Sequence, residues 1–168
     1  NAADNLLNNN RDGTFRSLAE KLGLAGQLDT TKQIITTDID SDSDVDLIFV
    51  KESLPHQILI NDRLWNYYPS ENHQEFLSAE FSALAAVDLN ADGQTELLSI
   101  DADGALKVWR LEDNRGLRAT PLYNSVVANG RELDLVPLDL SGNGRFEIGI
   151  TADGAYEVIS INAELSKA

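Results

Sequence analysis

The chain contains no cysteine and no methionine among its 168 residues, two histidines, and 13 lysines and arginines. Without cysteine there is no disulfide, no thiolate nucleophile and no zinc–sulfur centre, while the redox compartment stays open because secreted bacterial proteins often dispense with cysteine. The lack of methionine, with asparagine at the first position, leads us to expect a mature product or an excised piece whose targeting segment has been removed. No run of about 18 apolar residues occurs, so no membrane insertion is expected. Basic residues are outnumbered by 28 acidic ones, for a net charge of −15. That field repels nucleic acid and anionic lipid and attracts cations. Catalytic signatures are missing as well: no Gly-x-Ser-x-Gly, no Walker loop, no Gly-x-Gly-x-x-Gly after a strand and no His-Glu-x-x-His. His56 and His73 read as solvated polar residues. The chain is not expected to be an enzyme.

The residues that are present are organised. A content of 42% hydrophobic and 24% charged residues suits a folded globular domain. The acidic residues cluster: Asp38, Asp40, Asp42, Asp44 and Asp46 alternate through Asp38-Ile-Asp-Ser-Asp-Ser-Asp-Val-Asp46. So much like charge in nine residues is unfavourable unless a cation neutralises it. The pattern returns, diluted, at Asp88-Leu-Asn-Ala-Asp-Gly-Gln-Thr-Glu96 and Asp139-Leu-Ser-Gly-Asn-Gly-Arg-Phe-Glu147, after 50 residues (88 − 38) and then 51 (139 − 88). Three loops in register make a repeat.

Short apolar runs flank each loop. Ile34–Thr37, Leu84–Val87 and Leu135–Leu138 precede the loops; Leu47–Val50, Leu97–Ile100 and Ile148–Thr151 come after them. They are too short for helices, rich in β-branched residues and bounded by turn formers, which predicts strands. Turns at Asp101-Ala-Asp-Gly104 and Thr151-Ala-Asp-Gly154 then lead to third strands at His56–Ile60, Ala105–Arg110 and Ala155–Ser160. Fourth strands are expected at Leu64–Tyr68 and Arg118–Tyr123. The N-terminal segment enters the scheme halfway, with strands at Asn5–Leu7 and Thr14–Ser17 around a turn at Asn10–Gly13. Ser17 and Glu20 then form a capping box opening a short helix that ends at Gly23 or Gly26. A second short helix is expected between Ser70 and Glu80.

Four short antiparallel strands in about 40–50 residues is the period of a β-propeller blade. A β-sandwich accommodates the same strands but does not explain why the acidic loop returns in one place. The expected fold is therefore all-β, with propeller-type blades: a partial blade over residues 1–31, blades over 32–81 and 82–131, and an incomplete blade over 132–168. Closed propellers have about 4–8 blades. The chain is thus either a fragment, a unit that closes by association, or an open array. Self-association through open blade edges is expected.

Oxygen side chains at positions 1, 3 and 5 of a loop converge on a hard cation, with a backbone carbonyl at position 7 and a carboxylate at position 9. Calcium takes six to eight such oxygens at roughly 2.3–2.6 Å. Neither histidine nor cysteine is at hand for zinc or copper, and magnesium tolerates irregular loops less well. An EF-hand needs glutamate at position 12, where this chain has Phe49, Ser99 or Ile150, and helices rather than strands on either side. The ligand positions are Asp38, Asp40, Asp42, Asp44 and Asp46; Asp88, Asn90, Asp92, Gln94 and Glu96; and Asp139, Ser141, Asn143, Arg145 and Glu147. In the third set Ser141 and Asn143 either ligate or hydrogen-bond the loop's own backbone. Asp101, Asp103 and Asp153 read as turn formers. Trp65, Tyr67 and Tyr68 are the densest aromatic cluster, either packed between blades or offering a binding platform.

The pattern Asp-x-Asp/Asn-x-Asp-Gly-x-x-Asp/Glu-Leu between two strands resembles the FG-GAP/VCBS repeats of integrin-α-type β-propellers. The segment Asn8-Asn-Asn-Arg-Asp-Gly-Thr-Phe-Arg-Ser-Leu-Ala-Glu-Lys-Leu-Gly-Leu24 is similar to one found in bacterial members. The resemblance spans essentially the whole chain. It implies calcium in the loops, a place outside the cytoplasm (extracellular, periplasmic or at the cell surface), and a role in adhesion or in binding a protein or glycan. The alternative it leaves is a non-catalytic accessory portion of a secreted polysaccharide-active enzyme. The first loop departs from the family in carrying Ser43 where glycine is usual, and the third has lost two carboxylates.

Overall fold

A computed structural model describes residues 4–24, 30–63, 66–112, 116–126 and 133–160. Thirteen strands and one four-residue helix make up its regular structure, and the strands form four antiparallel sheets, none closed on itself. The first sheet is the hairpin of β1 (Leu7–Asn9) and β2 (Phe15–Ser17). The second is a meander of β3 (Thr31–Thr37), β4 (Asp46–Lys51), β5 (Gln57–Asn61) and β6 (Tyr67–Pro69). A short helix, α1 (Gln74–Leu77), leads to the third, β7 (Ala83–Val87), β8 (Glu96–Ile100), β9 (Ala105–Glu112) and β10 (Gly116–Val126). The fourth holds β11 (Leu133–Leu138), β12 (Glu147–Ala152) and β13 (Ala155–Ser160). Each acidic segment joins the first two strands of a sheet.

Side chains alternate across a strand, and here both faces of the middle sheets are covered. Ile48 and Val50 of β4 join Leu84, Leu97, Trp109 and Leu117 of the third sheet in one apolar cluster, while Leu47 and Phe49 pack against Leu18, Leu22 and Leu24. On β8, Leu97 enters the first cluster, whereas Leu98 and Ile100 pack with Leu135, Ile148 and Ile150 of the fourth sheet. Two-sided burial explains why these strands are continuous apolar runs instead of alternating ones. Polar groups caught in the layers find partners: Trp109 donates its indole N–H to Ser99 at 2.8 Å and meets Phe76 of α1 edge-on, with centroids 5.2 Å apart.

The fourth sheet is covered on one face only among the described residues. Val136 and Leu138, with Gly149 beneath Leu138, lie on the other face beside Tyr156 and Val158, and Tyr156 is 82% exposed. These positions match Ala85, Val87, Leu98, Leu106 and Val108, whose side of the third sheet receives the fourth.

Several local expectations change. No helix begins at Ser17, which ends β2; its hydroxyl accepts the Ala19 N–H at 3.2 Å and donates to Asn5 at 2.6 Å. The chain instead makes one turn closed by a Schellman pair, Leu24 N–H to Ala19 C=O at 2.8 Å and Gly23 N–H to Glu20 C=O at 3.3 Å, with Gly23 at φ 69°. Four apolar residues in seven (Leu18, Ala19, Leu22, Leu24) settle onto the second sheet, and a single turn suffices for that. Gly26 lies outside the described residues. The helix expected between Ser70 and Glu80 shrinks to α1.

The histidines are not solvated. Both are buried, at 4% and 5% exposure. His56 Nδ1 accepts the Lys51 N–H at 3.1 Å, so Nε2 carries the proton and donates to the Ala79 carbonyl at 3.0 Å. His73 Nδ1 accepts the Leu117 N–H at 3.1 Å, and burial pushes its pKa below the usual histidine value. Neutral imidazoles here serve as buried backbone acceptors that tie the α1 segment to the sheets on either side.

Candidate metal centre

The three acidic loops share one hydrogen-bond frame. At position 1, Asp38 accepts the N–H groups of Asp42 and Ser43 at 3.1 and 2.9 Å. Asp88 does the same for Asp92 and Gly93, and Asp139 for Asn143 and Gly144, at the same distances. At position 5, Asp42, Asp92 and Asn143 each accept the N–H two residues on at 2.8 Å. At position 9, Asp46, Glu96 and Glu147 reach back to the N–H groups of Ile39, Leu89 and Leu140 at 2.8, 2.8 and 3.2 Å. Local Asx bonding thus closes each loop.

Positions 4 and 6 lie in the left-handed region in all three loops: Ser41 and Ser43 (φ 62° and 72°), Ala91 and Gly93 (59° and 87°), Gly142 and Gly144 (67° and 77°). Glycine adopts this backbone freely, whereas other L-residues lose roughly 1–2 kcal/mol there. The first loop carries that strain twice, and its side-chain bonds to Asp38 and Asp42 hold the backbone in place.

Charge separates the loops. In the first, Asp38, Asp40 and Asp42 each place a carboxylate oxygen within 4.8 Å of the others, the one such acidic group found among the described residues. Two unit charges at that spacing repel by about 1 kcal/mol in water and several-fold more where the dielectric falls. Burial, then the neighbouring Asp42, raises the Asp40 pKa above the usual carboxylate value. Asp46 is fully buried, and its burial raises its pKa even though the Asn61 and Ile39 N–H groups each donate to it at 2.8 Å. A divalent cation would relieve this repulsion.

The second loop compensates itself. The Asn90 amide donates to Asp92 at 2.9 Å and to Glu96 at 3.1 Å, and Arg110 approaches the buried Glu96 at 3.3 Å. Gln94 gives its N–H to Asp92. In the third loop, hydrogen bonds from backbone N–H groups, Gly144 first and then Asn143, Gly142 and Ser141, hold the Asp139 pKa below the usual value. Asn143, between the two left-handed glycines, accepts the Arg145 N–H and so tightens the turn.

Sequence reasoning named the loop residues but missed their partners from other strands. Asn61 of β5 donates to Asp46, Arg63 pairs with Asp44 at 3.3 Å, and Arg110 of β9 reaches Glu96. Asp101 and Asp153 do shape turns. Asp153 and Gly154 both have positive φ (47° and 83°) between paired Ala152 and Ala155, a two-residue type I′ hairpin. Asp101 instead accepts the Asp103 and Ala105 N–H groups and pairs with Lys107 at 2.9 Å, around a three-residue turn with Gly104 alone at positive φ. Trp65 lies outside the described residues; Tyr67 is buried, while Tyr68 is 48% exposed.

No protein-family model matches the chain, and a search of curated proteins finds no match. Function is therefore argued from the loops and the surfaces between sheets. Besides the loops, a cleft of about 450 Å³ is lined by Lys32, Lys51 and His56. Its buried Lys51 is engaged by Asp4 and Thr31, and its His56 by backbone.

Proposed function

We propose that the chain is a calcium-stabilised, non-catalytic repeat module in which the sheets are blades of a propeller-type array akin to FG-GAP/VCBS repeats. It works outside the cytoplasm as a scaffold for binding a protein or glycan. The observation that carries this reading is the loop frame built three times over, with the carboxylates at positions 1, 3 and 5 drawn together where all three are present. An oxygen-only donor set in an irregular loop suits calcium better than magnesium or zinc. Asp38, Asp40 and Asp42 would bind first. The second loop, internally compensated, ranks next, and the third, with Ser141 and Asn143 in place of carboxylates, last.

Titration calorimetry tests the ranking. Asp42→Ala is expected to weaken the tightest calcium-binding step by about tenfold or more, since a charged ligand and the Asp44 N–H acceptor go together. Asn143→Ala is expected to leave that step unchanged. Equal effects of the two substitutions would refute the assignment.

The side of the fourth sheet left uncovered among the described residues supports association with a further unit of the same kind from a second copy. Light scattering of concentrated protein is expected to show species above the 18.4 kDa monomer, reduced by Val158→Asp. A monomer at every concentration would exclude association through this face.

A further inference from the structure

A cleft of about 390 Å³ is lined by residues of the second and third sheets. Tyr68 of β6 and Leu111 of β9 both line it, 48% and 40% exposed. Asp40, Asn72 and Glu112 add polar residues to the lining, which also includes Gly116. Neighbouring tyrosines on β6 do different work. Tyr67 is buried, packs with Leu47 and Leu59 and gives its hydroxyl to the Val45 carbonyl at 3.3 Å, whereas Tyr68 presents itself to the cleft.

From this arrangement we infer that the cleft binds a neutral hexopyranose ring, as the terminal or internal residue of a glycan. The inference rests on the reading of the chain as a binding module. An exposed aromatic ring and an exposed aliphatic side chain lining one cleft suit the apolar C–H faces of a pyranose. The acceptors of Asp40 and Glu112 and the amide of Asn72 suit its hydroxyls, which both donate and accept. Carboxylates on the rim of a chain with net charge −15 disfavour uronates, sialic acids and phosphates. The volume falls within the range of roughly 300–1,000 Å³ typical of small-ligand sites. Asp40 also belongs to the first acidic loop, so the saccharide and the cation adjoin and share this one residue.

Saturation-transfer NMR on the full chain, with the methyl glucosides, galactosides and mannosides as probes and methyl glucuronide as the anionic control, tests the inference. At least one neutral methyl hexoside is expected to receive saturation on its ring C–H protons and to bind about tenfold more tightly than the glucuronide. Tyr68→Ala and Tyr68→Leu are each expected to weaken that binding about tenfold, the second because an aliphatic side chain keeps volume but not the ring face. Both variants should keep the wild-type calcium titration, and Asp42→Ala should keep the saccharide. Failure of every neutral probe at tens of millimolar, equal binding of the glucuronide, or undiminished binding in folded Tyr68→Leu overturns the inference. Absent calcium heat with saccharide binding intact would instead overturn the metal reading alone.

Discussion

Gly116→Ala is expected to lower the melting temperature by roughly 10 °C, a large effect for one added methyl group. Gly116 has φ 74°, and a Cβ there would stand 2.1 Å from the Asn72 backbone oxygen and 2.9 Å from His73 Nδ1. Neither atom is the end of a flexible side chain. The backbone before α1 must move, and the 3.1 Å bond from the Leu117 N–H to the buried His73 must stretch or break. The strained φ costs about 1–2 kcal/mol; orphaning a buried N–H and its acceptor adds about 1–3 kcal/mol. At roughly 2–4 °C per kcal/mol for a chain of this size, the sum reaches that shift. Gly93→Ala is the control, since Gly93 has φ 87° but open space around its Cβ position. Thermal melts of the two variants separate steric contact from backbone strain. Equal losses would mean that the contact with Asn72 and His73 carries no weight.

Asp46→Ala is expected to destabilise the fold by about 2–4 kcal/mol and to abolish tight calcium binding. The Asp46 carboxylate is fully buried and links three places: the loop at Ile39, the adjacent strand β5 at Asn61, and β4 itself. Its removal leaves two N–H groups without their acceptor, about 1–3 kcal/mol each, partly offset by relief of a buried charge. The offset is real, because burial already raises the Asp46 pKa. Asp44→Ala gives the comparison. Asp44 pairs with Arg63, which is 74% exposed, and a pair so open to water contributes about 0–1 kcal/mol. Chemical denaturation in chelator reads the stability difference directly. A loss from Asp46→Ala no larger than that from Asp44→Ala would show that the ninth position does not hold the loop closed.

Much of this was legible in the sequence because it is local. Runs such as Leu47–Val50 and Leu97–Ile100 read as strands because they are too short for helices and bounded by turn formers, and they form β4 and β8. The loop frame comes from Asp and Asn spacing, as each Asx bond spans two to five residues. Harder to read was whatever depends on distant chain. Arg110 lies 14 residues from Glu96, and their meeting is set by the β8–β9 register. His73 and Leu117 are 44 residues apart, so nothing near His73 in the sequence reveals its burial. Ser17 and Glu20 match a capping box, yet packing of Leu18, Leu22 and Leu24 on the second sheet is met by one turn. Left-handed φ at Ser41 and Ala91 is equally hidden in the sequence, because neither residue type announces it.

Calcium titration of metal-free wild-type protein, monitored by calorimetry and by thermal melts, tests the central claim most directly. A cation that binds the folded loops and not the unfolded chain stabilises by RT ln(1 + [L]/Kd), about 2.7 kcal/mol at a hundredfold excess over Kd. The account predicts measurable binding heat and a melting temperature that climbs with calcium and falls back when chelator is added. A melt indifferent to chelator, with no heat at millimolar calcium, would contradict it and leave Asp38, Asp40 and Asp42 as turn formers alone.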